Sequence, residues 1–285
     1  MKPFALALSG GGLLGAAHLG ALRFLEEQGV KATAVAGTSA GGLVASLYAL
    51  GIPMHRLIRV GQEIANHPLE YFHLNTVGLL HELLPKLGPP ATGLIQPERF
   101  VATLLSLAPS AETTADWNIP TVLTAVDLVT LTAVAFTNRP LTPPARGAWQ
   151  IATDQPLWLA MQATMAMPGL FAAPRHKDHV LVDGGVADTL PVDWAYALDP
   201  EFIVAIDVAT PAHIEANRLG LGDVLGRSES YATDTLSRLR EGRISHLTVR
   251  PDTLNVPFLG FADYGRLVES GWQAMKETWP QIADL

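Results

Sequence analysis

Gly37-Thr38-Ser39-Ala40-Gly41 reads G-x-S-x-G, the pattern that sets a serine on a sharp turn between a strand and a helix. A hydroxyl there stands over a helix N-terminus, where free N–H groups and the helix dipole favour developing negative charge. The chemistry this allows is nucleophilic attack on a carbonyl, which needs an oxyanion site and a base. Two other glycine-rich stretches could supply them: Gly10-Gly11-Gly12 with Gly15 near the start, and Asp183-Gly184-Gly185 far downstream. Each motif alone has a plainer reading. Ser39 could be only a helix N-cap, the first loop only a turn, and Asp-Gly-Gly only a reverse turn.

The first loop also fits G-x-G-x-x-G at Gly10, Gly12 and Gly15, the dinucleotide-binding fingerprint. That use wants an acidic residue about 20 positions on, at the end of the second strand. The residues there are Val35-Ala36-Gly37-Thr38, with no acid among them. An oxyanion hole, with unhindered backbone N–H groups at Gly10, Gly11 and Gly12, fits better. For the base, a Ser…Asp…His order leaves only His213 and His246 downstream of Asp183. Neither follows a glycine-rich strand end, and only one or two strands precede Ser39, unlike the usual histidine-assisted hydrolase sheet. Asp183 ends the apolar run Val180-Leu181-Val182, at the kind of strand end where open α/β sheets carry function. A solvated carboxylate near pKa 4 is a poor base for a hydroxyl, so the site must bury it in part.

The elements that must position these residues follow from periodicity. Phe4 to Ser9 and Ala32 to Ala36 read as buried strands, Gly15 to Gln28 as an amphipathic helix, and Gly42 to Gly51 as a helix of small residues. This is the opening of a parallel sheet with helical crossovers. Residues 52–118 show helical patterns at Pro53 to Ala65, Leu79 to Leu87 and Gln96 to Leu107, and no evident strand, so they are expected to form a helical insertion over the sheet. Pro120 to Val126 and Leu131 to Phe136 read as adjacent strands joined near Asp127, and Arg139 to Gly147 as loop. Pro156 to Met165 and Pro191 to Leu198 are predicted helices, Phe202 to Val208 a buried strand, and Leu219 to Gly242 a long charged helix. His246 to Val249 reads as a strand and Asp263 to Trp279 as a closing helix. No repeat or linker divides the 285 residues, so one domain is expected over 1–285.

Composition removes several classes of function. Charged residues are 16% against 48% hydrophobic, which supports a large core and argues against disorder. A net charge of −8 without basic blocks argues against a nucleic-acid partner. The absence of cysteine excludes disulfides, thiolate metal sites and a cysteine nucleophile, and fits a reducing, cytoplasmic setting. The apolar N-terminal stretch is broken by glycines and reads as part of the fold rather than as a signal peptide or membrane span.

Taken together the motifs resemble the patatin-like phospholipases. The likeness rests on Gly10-Gly11-Gly12-Leu13-Leu14-Gly15, on Gly37-Thr38-Ser39-Ala40-Gly41 and on Asp183-Gly184-Gly185. It extends through Ala163 to Phe171, Leu190-Pro191-Val192 and Phe261 to Gln273. The resemblance implies an α/β fold with a mainly parallel central sheet sandwiched between helices in three layers. It also implies a Ser39–Asp183 dyad without catalytic histidine, acting through an acyl-enzyme on lipid esters and needing no metal or cofactor. A lipid substrate implies transient contact with a membrane surface. One departure stands out: family members usually carry Arg or Lys where this chain has Leu14, which leaves a catalytically silent lipid-binding protein as the alternative.

Overall fold

The first strand sets the layer plan. In β1 (Phe4–Leu8), Phe4, Leu6 and Leu8 point to one face of the sheet and Ala5 and Ala7 to the other, all fully buried. The next strand of the parallel sheet, β2 (Ala34–Gly37), repeats the pattern with Val35 against Ala34 and Ala36. Period-two alternation with large residues on one side and alanine on the other builds two unequal cores.

The structure, a computed structural model, describes residues 2–76, 91–144, 148–209, 214–220, 223–228, 231, 244, 246–257 and 259–284. After β1 come α1 (Ala16–Glu27), β2, α2 (Ala40–Ala49), α3 (Met54–Asn66) and the short α4 (Pro68–Tyr71). Then follow β3 (His73–Leu74), β4 (Gly93–Gln96), α5 (Glu98–Leu105), the hairpin β5 (Thr121–Asp127) and β6 (Thr132–Thr137), and β7 (Trp149–Thr153). The remainder holds α6 (Leu157–Met165), β8 (Gly169–Phe171), β9 (Arg175–His176), β10 (His179–Asp183), α7 (Val192–Ala197), β11 (Phe202–Ile206), β12 (Leu247–Val249) and α8 (Tyr264–Ala283).

The main sheet runs β12-β11-β1-β2-β5 in parallel. The antiparallel partners β6 and β10 then complete β5, with β7 beyond β6 and β9 beyond β10. Helices α1, α2, α6 and α8 cover the large-residue face, and α7 covers the alanine face, where buried Trp194 lies among Ala5, Ala7, Ala34 and Ala36. This is the expected sandwich of a mostly parallel sheet between helices. Helix α8 reaches α1 because each helix turns a glycine to the other's backbone: a side chain on Gly20 would enter the Val268 carbonyl, and one on Gly271 the Ala17 carbonyl.

One expectation is corrected. Residues 52–118 are not purely helical, since β3 and β4 join β8 in a separate three-stranded sheet. These strands are two to four residues long and carry no apolar alternation over a useful window, so only their pairing reveals them. The sequence pattern likewise does not announce β7, because Trp-Gln-Ile-Ala-Thr is half exposed and owes its conformation to parallel pairing with β6. The predicted helix over Leu79 to Leu87, most of the one over Leu219 to Gly242, and His213 lie outside the described residues.

Candidate active site

The register of β5 brings the site together. Along one edge of β5, β2 pairs in parallel with its first half, ending with Gly37 opposite Leu123. Along the same edge β10 arrives from the other direction, ending with Asp183 opposite Ala125. The far edge is occupied throughout by β6. Two strands therefore approach head-on, and their C-terminal ends stop two residues apart, about 7 Å along β5. Ser39 follows the first end and Asp183 is the second. Their side chains meet: Ser39 Oγ donates to Asp183 Oδ2 at 2.6 Å.

Thr124, the residue between the two ends, ties the turns together. Its hydroxyl donates to Thr38 Oγ1 at 2.7 Å, since Thr38 Oγ1 itself donates to the Asp188 carbonyl at 2.9 Å. Gly184 packs directly on Thr124. The Ser39 N–H donates to Thr164 Oγ1 of α6 at 3.0 Å, and the Asp183 N–H to the Ala166 carbonyl at 3.0 Å. The carboxylate is buried, and its second oxygen accepts from the Gly185 N–H at 2.8 Å. Ser39 is held at φ 55° and ψ −126°, the strained turn that lifts its hydroxyl away from the backbone. Gly37 closes β2 and Gly41 lies in the first turn of α2, packed against the Leu8 and Ser9 carbonyls.

The glycine loop lies beside the serine, with Gly10 within van der Waals reach of Ser39 and Gly15 packed on Ala40. The Gly10 N–H donates to the Thr189 carbonyl at 2.9 Å, so the donors expected at Gly10–Gly12 narrow to two. The N–H groups of Gly11 and Gly12 meet no acceptor among the described residues, and Gly11 has a φ of 151° that a side chain would rarely adopt. Leu14 packs against the core, and Leu13 lines the space beside Ser39.

Sequence reasoning missed His18. It is fully buried in α1, and its Nε2 donates to the Ser9 carbonyl at 2.9 Å, while Ser9 Oγ donates to the Gly10 carbonyl and accepts from the Val208 N–H. Burial pushes the imidazole down to about 4, with the Ser9 carbonyl opposing, so the ring is neutral. A histidine three residues after the loop's last glycine, on the first turn of a helix, was the available signal. His246, by contrast, precedes β12, three strands and about 14 Å across the sheet from β2. Its Nδ1 donates to the Ile244 carbonyl at 2.8 Å, which leaves no histidine-assisted arrangement for it at Ser39.

Beside Ser39 opens an apolar cavity of about 80 Å³ lined by Met165, Met167, Phe171, Leu259 and Phe261. Phe72 joins its wall and touches Phe100, Phe171 and Phe261, so the small β3–β4–β8 sheet supports this side of the site. Among the described residues no cluster of His, Asp or Glu could hold a metal, and no helix is long and apolar enough to cross a membrane.

An arrangement of this kind can form and hydrolyse an ester at Ser39. A family model for patatin-like phospholipases matches residues 6–196, which include the glycine loop, Ser39 and Asp183. The patatin-like phospholipase domain-containing protein 6 of Mus musculus is 26% identical over 222 residues, 76% of this chain and 14% of that protein. An NTE family protein of Mycobacterium tuberculosis is 26% identical over 204 residues, 72% of this chain and 48% of that one. The crystal structure of VipD from Legionella pneumophila aligns with a TM-score of 0.49 and 15% identity, covering 97% of this chain and 66% of that one. This chain thus spans about a seventh of the mouse relative and about half of the mycobacterial one. With the match extending over two thirds of its residues, the chain belongs to the patatin-like phospholipase family.

Proposed function

We propose that the protein is a serine acyl hydrolase acting on lipid esters. Ser39 is the nucleophile, Asp183 the base, and the Gly11 and Gly12 N–H groups the oxyanion donors. The observation that carries the reading is the 2.6 Å bond from Ser39 Oγ to a buried carboxylate beside an apolar cavity. As Oγ bonds to the ester carbonyl carbon, its proton passes to Asp183 Oδ2, and the carbonyl oxygen gains the negative charge that the loop N–H groups and the N-terminus of α2 stabilise. Collapse breaks the ester bond, and the departing alcohol takes the proton from Asp183. Water then gives a proton to Asp183 and adds to the acyl-enzyme, and a second collapse releases the fatty acid and restores Ser39. The lysophospholipase of Mycosarcoma maydis, 27% identical over 205 residues, supports lipid esters as the substrate class.

The test is direct. A fluorophosphonate should label Ser39 in the intact protein, and Ser39→Ala and Asp183→Asn should each lower ester turnover by about 10⁴-fold. Undiminished turnover in Ser39→Ala, or labelling at another residue, sinks the proposal.

A further inference from the structure

A separate pocket of about 360 Å³ opens on the large-residue face of the sheet, between α6, strands β6 and β7, and the β9–β10 hairpin. It shares no lining residue with the cavity beside Ser39. Its floor is apolar, because Phe136, Leu159 and Leu181 are all buried core residues. Its rim is polar, supplied by Gln150 of β7 and by His176, Lys177 and His179 of the hairpin. Among the described residues no carboxylate lines it, although Asp154 and Asp178 are chain neighbours of residues that do.

The rim groups are placed but not used up. Lys177 sits in the two-residue turn between β9 and β10 at φ 52°, a conformation that suits glycine and strains a lysine. His179 is held by its Nδ1 on the Asp127 carboxylate at 2.8 Å, and the His176 ring stands edge-on to Trp158 with centroids 6.1 Å apart. The side chains of Gln150, His176 and Lys177 make no hydrogen bond or ion pair with any described residue.

We propose that this pocket binds a small amphipathic anion, a carboxylate or phosphate monoester with a compact apolar body such as a single ring. The negative group pairs with Lys177 and takes an N–H from His176, and the body rests on Phe136, Leu159 and Leu181. An apolar wall with a few convergent polar groups, above the roughly 300 Å³ where small-molecule sites begin, is the usual form of such a site. A neutral apolar ligand would leave the ammonium unmatched, and a fully polar one would leave the floor unmatched. From His179 at the pocket to Asp183 is the length of β10, about 13 Å, so the bound anion is a ligand in its own right and not the ester under attack. The proposal therefore stands whichever residue is the nucleophile.

Isothermal titration calorimetry on the intact protein tests it with benzoate, phenyl phosphate, inorganic phosphate and benzyl alcohol. At least one of the two aromatic anions should bind with a Kd of about 1 mM or tighter, and the tighter of them identifies the anionic group. Inorganic phosphate, which lacks the ring, and benzyl alcohol, which lacks the charge, should each bind at least about tenfold more weakly. Lys177→Gly removes the charge at a turn that glycine suits, and should weaken the aromatic anion about tenfold. His176→Phe keeps a ring against Trp158 without the N–H, and should weaken it about fivefold. Absence of binding by both aromatic anions, or a wild-type Kd in Lys177→Gly, overturns the proposal. So does inorganic phosphate or benzyl alcohol binding as tightly as the aromatic anion. If His176→Phe fails to fold, Lys177→Gly decides alone.

Discussion

Ser39 keeps a positive φ that costs a residue with a side chain about 2 kcal/mol, and three neighbours hold it there: the Thr164 hydroxyl, the Asp183 carboxylate and the Thr38–Thr124 pair. The glycine loop beside it depends in the same way on His18. A neutral imidazole donating to the Ser9 carbonyl fixes the residue from which Gly10–Gly12 depart. Because burial lowers the His18 pKa from 6.5 to about 4, the unfolded chain takes up a proton between those values that the folded chain does not. The folded state is thus unimpaired above about pH 6.5 and progressively disfavoured as pH falls toward 4. At pH 5 the loss from this residue is about 2 kcal/mol. Urea titrations should show His18→Gln losing that much less stability than the wild type between pH 7 and pH 5. His18→Leu, which removes the donor, should lower kcat about tenfold with little change in KM, and His18→Gln should restore most of it.

At the scale of elements, β5 is the rail on which the two functional turns are spaced, and Asp127 anchors its end. The buried Asp127 carboxylate accepts from the Val129 N–H and Thr130 hydroxyl in the β5–β6 turn, and from the Val180 N–H and His179 Nδ1 at the start of β10. Burial pushes this carboxyl upward, but the four hydrogen bonds outweigh it and hold it at about 2. It therefore sets the point from which β10 runs down to Asp183. Asp127→Ala should destabilise the protein by about 3 kcal/mol in chemical denaturation and lower kcat as well, because Asp183 loses its register. An unchanged denaturation midpoint would show that the hairpin holds β10 without it. The β3–β4–β8 sheet does comparable work in the cavity wall beside Ser39 by presenting Phe171 and supporting Phe72.

For the whole molecule, the unequal faces of the sheet divide labour. The alanine face packs tightly on Trp194, while on the large-residue side α1, α2, α3, α5 and α8 leave an apolar pocket between them. The wall depends on α8 lying close to α1 at Gly20 and Gly271. Gly271→Leu should force the helices apart, lower stability by about 3 kcal/mol and depress the melting temperature, measurable by calorimetry. A melting curve matching the wild type would mean that α8 can shift without strain.

The strand alternation of β1, β2 and β11, the helix after each glycine loop, and the three motifs at Gly10, Ser39 and Asp183 are local properties, and the sequence by itself determined them through periodicity and turn chemistry. It also determined the family, because those motifs occur in order with their supporting segments. What only the tertiary structure decided was contact between residues far apart in the chain. Ser39 and Asp183 are 144 positions apart, and no spacing rule states that β2 and β10 share one edge of β5 with their ends facing. The same holds for the Gly10 N–H taken by Thr189, for the buried bond of His18, and for short strands such as β3, β4 and β7, whose hydrogen-bond partners lie elsewhere. Local sequence sets what a segment can become, and long-range pairing sets what it meets, because backbone and side-chain donors are satisfied by whichever acceptor the fold brings within 3 Å or so.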